Sequence, residues 1–587
     1  NWRSTADVLE NRADLIVIGS GLAGEARYVS VPGFQTRHTL IMLDGVALNK
    51  SGEAFDISSI PVEIIKNIEI TKGSSGNSMG AVININTRNA SGKLSAAYNH
   101  TLGSFGLDKH AFTFSGSTAG WNGYLLLAKS YARNDFKYKV PSEWNLPKKY
   151  YIRKFNDKNT YDVNVKLSQS NRFFNTNYKL IFQDYLKKLP GTIINPDLYL
   201  NSRQKGQTWR HFLNLEKDMK KYQLKADLAY SKENSTYDNT RLEPPFNSLL
   251  YKALSTTDQS IKQVKLHTEY AQDDFYFDWG GGYKNEAFSY DDKLNDANSI
   301  SQKYLEKYTV FANTKLEKNE YPSYLKLIAA ANWDYSKRYH DFTGWRIAPE
   351  YTYKTLFDIV LGGSVANGIN YPSFLSLYWK GDTQTTGNPD LKPEKSLGWQ
   401  IFQQLKWGEN YIKVNYRDDK LQNMITWFLE HNSKWKPRNV EKAQVLTWEF
   451  ETQIQPVKSI ILNGMYSWVK AKNKTRSSDL YNNDIIYTPR NKLFLQAKFI
   501  WNELVTTVSY SRTGKQNYTF DQQSSQQLLP AYGLLNAGIS YGFSWHRLQY
   551  TVGMDANNIL DKKYEIYRYI PQPGFNWNAN LGVQWKL

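Results

Sequence analysis

The chain has 587 residues, of which 15% are aromatic, including 42 Tyr and 18 Trp, and 22% are charged. Its mean hydropathy is -0.60, and the lack of Cys excludes disulfides, thiolate metal sites and Cys nucleophiles. No run approaches the ~18 consecutive apolar residues of a helical membrane span, and the net charge of +18 is spread along the chain, not gathered into a nucleic-acid-binding block.

Such a composition fits a wall whose residues alternate between lipid and a wet lumen, with aromatic girdles at both membrane interfaces. A closed β-barrel also satisfies every backbone polar group without a sheet edge. The chain opens at Asn1-Trp2-Arg3, without Met and without a basic stretch leading into an apolar core, so processing or trimming ahead of residue 1 is expected.

Residues 1–92 read as a small mixed α/β domain, less aromatic than the rest. Leu15-Ile16-Val17-Ile18 and Leu40-Ile41-Met42-Leu43 predict short buried strands. Pro61-Val62-Glu63-Ile64-Ile65-Lys66 predicts a helix with Pro at a tolerated early position, and Val82-Ile83-Asn84-Ile85-Asn86-Thr87 a further strand. Between the first two runs, Gly19-Ser20-Gly21-Leu22-Ala23-Gly24 fits the dinucleotide fingerprint G-x-G-x-x-G, with Asp44 twenty residues beyond Gly24. The required helix is missing, however. Glu25-Ala26-Arg27-Tyr28-Val29-Ser30-Val31-Pro32-Gly33 follows, β-branched and broken by Pro-Gly, so the glycines predict a loop between two strands.

From residue 93 to 587, period-2 segments recur between polar connections. Tyr161, Val163, Val165 and Leu167 alternate with Asp162, Asn164, Lys166 and Ser168. Tyr222, Leu224, Ala226, Leu228 and Tyr230 alternate with Gln223, Lys225 and Asp227, and Leu548, Tyr550, Val552 and Met554 with Gln549, Thr551, Gly553 and Asp555. Each segment thus has one apolar and one polar face. A soluble sandwich alternates too, but nearly 500 residues exceed one sandwich, and Tyr or Trp recurs at segment ends, where an interface would lie. About 22 strands, an even number, leave about 22 or 23 residues each for strand and connection. At the end of the chain, Phe575, Trp577, Ala579, Leu581, Val583, Trp585 and Leu587 form the apolar face of a closing strand. The fold expected is an all-β membrane protein, with an α/β plug (1–92) inside a barrel (93–587).

Several segments in order resemble the TonB-dependent outer-membrane receptor family. Leu43-Asp44-Gly45-Val46-Ala47-Leu48-Asn49 resembles its plug strand and turn. Asp56-Ile57 through Ile60-Pro61, followed by Ile64-Ile65-Lys66-Asn67-Ile68-Glu69-Ile70-Thr71-Lys72-Gly73, resembles its helix and the strand after it. Val82 to Thr87 resembles the last plug strand, and Asp7-Val8-Leu9-Glu10 an early plug helix. In the barrel, Gly387-Asn388-Pro389-Asp390-Leu391-Lys392-Pro393-Glu394 is similar to the family's Asn-Pro-Asn/Asp-Leu box, preceded by Tyr371-Pro372-Ser373-Phe374. Asn557-Asn558-Ile559-Leu560-Asp561-Lys562-Lys563-Tyr564 resembles the penultimate-strand signature. The chain departs from the pattern at Pro32-Gly33, at the shortened Ser78-Met79-Gly80-Ala81-Val82 and at a non-aromatic Leu587. No energy-coupling box is visible before Asp7.

The resemblance implies uptake of a scarce, bulky nutrient, a ferric siderophore or cobalamin, powered through a periplasmic TonB-type coupling protein. It implies residence in the outer membrane of a Gram-negative bacterium, among its lipid and lipopolysaccharide. By matching, the apical plug loops supply the ligand-binding candidates Gly19, Ser20, Gly21, Leu22, Ala23, Gly24, Glu25, Ala26 and Asn49, Lys50, Ser51, Gly52, Glu53, Ala54, Phe55. Tyr371, Tyr378 and Trp379 are aromatic candidates, with a plain wall or girdle role as the competing reading. Residues 371–389 hold no His, which disfavours haem, and the compact length disfavours the larger glycan importers. With scattered His and no nucleophile constellation or metal-ligand spacing, no catalysis, metal or cofactor is expected. A second reading, favoured by the missing box, is a transport-inactive accessory barrel within an outer-membrane protein complex.

Overall fold

The computed structural model describes all residues except 1–3, 20, 90–91, 141–148, 192, 194–200, 242–251, 382–384, 431–433, 477–479, 520–521, 523–527 and 587. Ser20 and Leu587, singled out in the sequence, thus lie outside the described residues. Among those described, no helix is long and apolar enough to cross a membrane.

The N-terminal region begins with helix α1 (Thr5–Glu10), started by a capping box in which Ser4 accepts from the Asp7 backbone and Asp7 from that of Ser4. Strands β1 (Ile16–Ile18) and β2 (Tyr28–Ser30) pair antiparallel, and the glycine-rich segment is the loop between them. A four-stranded sheet follows in the order β4-β3-β6-β5, from β3 (Thr39–Leu43), β4 (Val46–Ala47), β5 (Ile65–Lys72) and β6 (Ala81–Thr87), with β3 and β6 parallel. Asp44 and Gly45 make the β3–β4 turn with φ of 46° and 84°, the left-handed pair that a tight hairpin requires.

The helix expected at 61–66 is not formed. Only a single 3-10 turn exists at Val62–Ile64, and Ile65 and Lys66 already belong to β5. The β-branched run has a tertiary partner, since Ile65 pairs with Thr87 and Ile68 with Ile85, and sheet pairing outweighs the local pattern. The segment before it likewise makes a 3-10 turn, Ile57–Ser59, capped by Asp56.

Twenty-two antiparallel strands close into a barrel around this domain. The first three are β7 (Ser95–Gly103), β8 (Leu107–Thr118) and β9 (Trp121–Ala132), and the C-terminal strand Asn576–Lys586 seals the ring by pairing with β7. The expected alternation is explicit on that last strand. Trp577, Leu581 and Trp585 are exposed on the outer wall, whereas Asn576 and Asn578 are buried toward the lumen. One rim carries two-residue turns such as 119–120, 220–221 and 502–503, flanked by exposed Trp121, Tyr222 and Trp501. The other carries the long connections 133–157, 371–393, 474–490 and 558–575. Outer-membrane barrels keep short turns at the periplasm and long loops outside, so the second rim is the outer mouth.

The small domain fills the lumen. Its buried Ile41, Leu43, Ile57 and Ile83 form one apolar cluster with wall residues Leu126, Ile181, Phe212 and Val445. Polar contacts ring that core. Lys109 reaches Glu63 at 2.6 Å, Lys72 reaches Glu449 at 2.5 Å, and Lys179 pairs with Asp44. Ser74 Oγ lies 2.7 Å from Ser396 Oγ, and the Ile369 backbone donates to Gly76 at 2.9 Å.

Candidate functional site

Two plug loops rise toward the outer mouth, and each is held by the wall. In the loop 19–26, Gly21 and Gly24 have φ of 71° and 70°, and a Cβ on Gly24 would meet Lys158 Cβ at 2.9 Å. Leu22 is buried among Phe136, Tyr138, Val140 and Tyr151 of the wall's first long connection, and Asn134 donates to the Ala23 carbonyl at 2.9 Å. Gly19, Glu25 and Ala26 complete this bend; the Glu25 backbone donates to the Leu22 carbonyl.

In the loop 49–55, buried Asn49 acts as a local scaffold. It accepts from the Ile41 backbone at 2.7 Å and donates to Thr39 at 3.1 Å and Glu53 at 3.3 Å. Lys50 pairs with Glu233 at 2.7 Å, while Ser51 donates through both N and Oγ to Glu286, at 2.8 and 2.9 Å. Burial pulls Lys50 down, but Glu233 and Glu53 outweigh it and hold the ammonium above its ordinary value. Burial, with Glu233 and Glu286 nearby, lifts Glu53 above its ordinary value despite Lys50. Gly52 has φ of 66° and lies so close to the wall that a Cβ would sit 2.3 Å from the Ser373 nitrogen. Phe55 stacks under the Arg210 guanidinium at 5.3 Å.

The three aromatic candidates lie around helix α2 (Phe374–Tyr378), which Ser373 caps. Tyr371 is buried with Phe342 and Ile369 and packs on Tyr339. Tyr378 accepts from Arg338 at 2.8 Å, and Trp379 donates to Thr385 at 2.9 Å while meeting Tyr290 edge-on. Asn49, Lys50, Ser51 and Tyr371 line a cavity of about 270 Å³ between plug and wall.

A larger cavity, about 820 Å³, opens at the outer mouth. Plug residues Ile18, Phe34, Arg37, Gly52 and Ala54 form its floor, and Met424, Trp427, Trp435, Tyr487, Tyr518 and Tyr567 form its sides. Of the residues singled out in the sequence for binding, only Gly52 and Ala54 line it. The five wall aromatics escaped notice because nothing in their local pattern separates them from girdle residues. Burial and its neighbour Tyr487 push the Tyr567 phenol up to about 12, and burial raises Tyr487 as well, so both stay neutral hydrogen-bonding groups. The charges here are largely spoken for. Arg37 forks onto Glu394 at 3.0 and 2.8 Å, and Asp484 is held by Lys472 at 2.5 Å and Arg490 at 2.9 Å. Hydrogen bonds from those two cations keep Asp484 below the usual carboxylate range, although burial opposes it.

Glu394 ends the Asn-Pro-Asp-Leu box and is completely buried. Besides Arg37 it engages His38 at 3.0 Å and accepts from Asn370 at 2.7 Å and the Ile425 backbone at 2.8 Å. It joins plug to wall directly beneath the mouth cavity.

A plugged, closed barrel with a wide aromatic mouth defines an outer-membrane receptor. The sequence profile of the TonB-dependent receptor-like β-barrel matches residues 143–559, and that of the TonB-dependent receptor plug domain matches residues 1–82. The chain belongs to the TonB-dependent receptor family, whose members are outer-membrane receptors and transporters. A vitamin B12 transporter BtuB of Vibrio vulnificus (strain CMCP6) is 22% identical over 606 aligned positions, spanning 99% of this chain and 90% of that protein. Among solved structures, the copper transporter OprC superposes with a TM-score of 0.80 at 13% identity, over 100% of this chain and 95% of that one. The ferric enterobactin receptor PfeA of Pseudomonas aeruginosa, in mutant form, gives 0.78 at 15% identity, over 99% and 96%. At such identities the structural likenesses speak to the fold alone.

Proposed function

We propose that this receptor captures a scarce, bulky nutrient, cobalamin or a ferric siderophore, at its outer mouth and imports it when a periplasmic TonB-type protein pulls the plug, taken as residues 1–92, within the barrel of residues 93–587. The carrying observation is the aromatic cavity of about 820 Å³ resting on the plug. A preformed apolar concavity with a few oriented polar groups suits a ligand of that bulk. Trp427, Trp435, Tyr487, Tyr518 and Tyr567 supply flat contact area, and their hydroxyl and indole groups orient the ligand. Gly52 and Ala54 present the plug to the ligand, so occupancy above is felt by the loop 49–55 and its ion pairs below. No bond-making step is assigned to the protein.

The test is uptake of labelled cobalamin and a panel of ferric chelates by cells carrying the receptor, with and without the coupling motor. Saturable, motor-dependent uptake of one ligand, lost in a Trp427→Ala/Trp435→Ala variant, is expected. If no ligand binds and loss of the motor changes nothing, the transport reading fails in favour of an accessory barrel.

A further inference from the structure

The outer wall carries a side-chain cluster that neither the plug nor the mouth uses. In the antiparallel β7–β8 pair, His100 lies directly opposite His110, with Asp108 two residues from His110 on the same face. That face looks outward. The intervening Lys109 turns inward to Glu63 of the plug, whereas Leu102 and Phe112, on the same side as the histidines, are exposed. The two imidazoles stack with centroids 4.4 Å apart and planes only 10° apart. Their Nε2 atoms converge on a single oxygen, Asp108 Oδ1, from 2.9 Å for His100 and 3.2 Å for His110. Behind His110, the Tyr98 hydroxyl sits 2.7 Å from Nδ1.

We propose that His100, Asp108 and His110 form a site for a divalent transition-metal ion of the zinc type on the outer wall, close below the mouth. In a tetrahedral site with ligands about 2.0–2.1 Å from zinc, neighbouring ligand atoms lie about 3.3 Å apart. The two nitrogen–oxygen separations are already near that value, and the stacked rings must tilt toward each other so that both Nε2 lone pairs point at the ion. Two imidazoles and one carboxylate favour zinc, copper or nickel over magnesium and calcium, which demand six or more oxygens. Tyr98 occupies the position of the outer partner that fixes a liganding imidazole's tautomer. A fourth coordination position remains for water.

Chemistry on the wall favours an ion over a bare hydrogen-bond ladder. Asp108 bridges both imidazoles on an outer face that also bears Leu102, Phe112 and Phe114. A divalent ion would take the two Nε2 lone pairs, with each neutral imidazole carrying its proton on Nδ1, and would set positive charge against Asp108. It would also clamp β7 to β8 beside the seam where the C-terminal strand closes the barrel. The lumenal histidine His267 differs, because its nitrogens are engaged separately, Nδ1 by Asp278 at 2.7 Å and Nε2 by Asp227 at 3.2 Å.

Untagged receptor in detergent, stripped with a chelator, is titrated with zinc chloride against a competing indicator dye. One equivalent of zinc is expected that His100→Ala/His110→Ala lacks, while His267→Ala retains it. Asp108→Asn weakens binding, and Tyr98→Phe weakens it by about 10- to 100-fold, the usual effect of losing an outer partner. With copper(II), paramagnetic resonance is expected to show coupling to two imidazole nitrogens, and heat-modifiable gel migration verifies that each variant is folded. Absence of bound zinc in the native receptor, or equal binding by the double-alanine variant, overturns the site. Neither result bears on what the receptor imports.

Discussion

Glu394 concentrates four plug and wall contacts on one fully buried carboxylate. Removing one side of a buried ion pair leaves the other charge unpaired, a loss of about 3 kcal/mol. Glu394→Ala is therefore expected to speed hydrogen exchange of residues 36–43 by roughly 100-fold while the barrel stays folded. Asp14 behaves as an acid-labile tether. Its burial favours the neutral acid, but Lys72 at 3.1 Å and Arg12 at 2.8 Å overcome that and hold it well below the carboxylate range. A depressed folded value means that its contribution is complete above about pH 4, the unfolded value, and is lost as pH falls toward the folded one. Plug release followed by limited proteolysis is expected to be steady from pH 6 to about pH 4 and to accelerate only below it, whereas Asp14→Asn is faster already at pH 6. Gly52 is constrained by both φ and space. Gly52→Val would press a side chain into the 371–373 backbone at a cost of about 1–3 kcal/mol and weaken ligand capture, read as a higher Kd for whichever ligand is transported.

At the level of the element, the two faces of a strand respond differently to one substitution. Leu581→Arg, on the lipid side of Asn576–Lys586, is expected to lower barrel stability by about 2–4 kcal/mol if it sits near mid-bilayer, whereas lumenal Asn580→Arg lowers it less. Urea unfolding into lipid vesicles measures both. The same strand was legible in the sequence because its alternation is a local property of eleven residues. The Gly-rich loop was legible too, since Pro-Gly and β-branched residues exclude a helix there. The segment 61–66 was misread because its spacing is compatible with a helix, and only pairing of Ile65 and Ile68 with β6 decides for a strand. The candidate loops 19–26 and 49–55 were located by family matching, and the wall engages the backbone of each, at Ala23, Asn49 and Ser51.

In the whole molecule, the plug is anchored to the wall by charges, by backbone pairing and by the short Ser74–Ser396 contact. The chain has no Cys, so a Ser74→Cys/Ser396→Cys pair can form one defined staple. The oxidised receptor is expected to bind ligand normally and lose motor-dependent uptake, with recovery on reduction; unimpaired uptake by the stapled protein would mean that this part of the plug stays in place during transport. The amino-acid sequence by itself determined the barrel, its two-faced strands and the small domain before it, because the partition between lipid and lumen repeats every second residue and needs no distant partner. Tertiary structure alone decided which aromatics converge on the mouth. Trp427 and Trp435 share one hairpin, whereas Tyr487, Tyr518 and Tyr567 come from three separate connections, and barrel closure around the plug brings all five to one cavity.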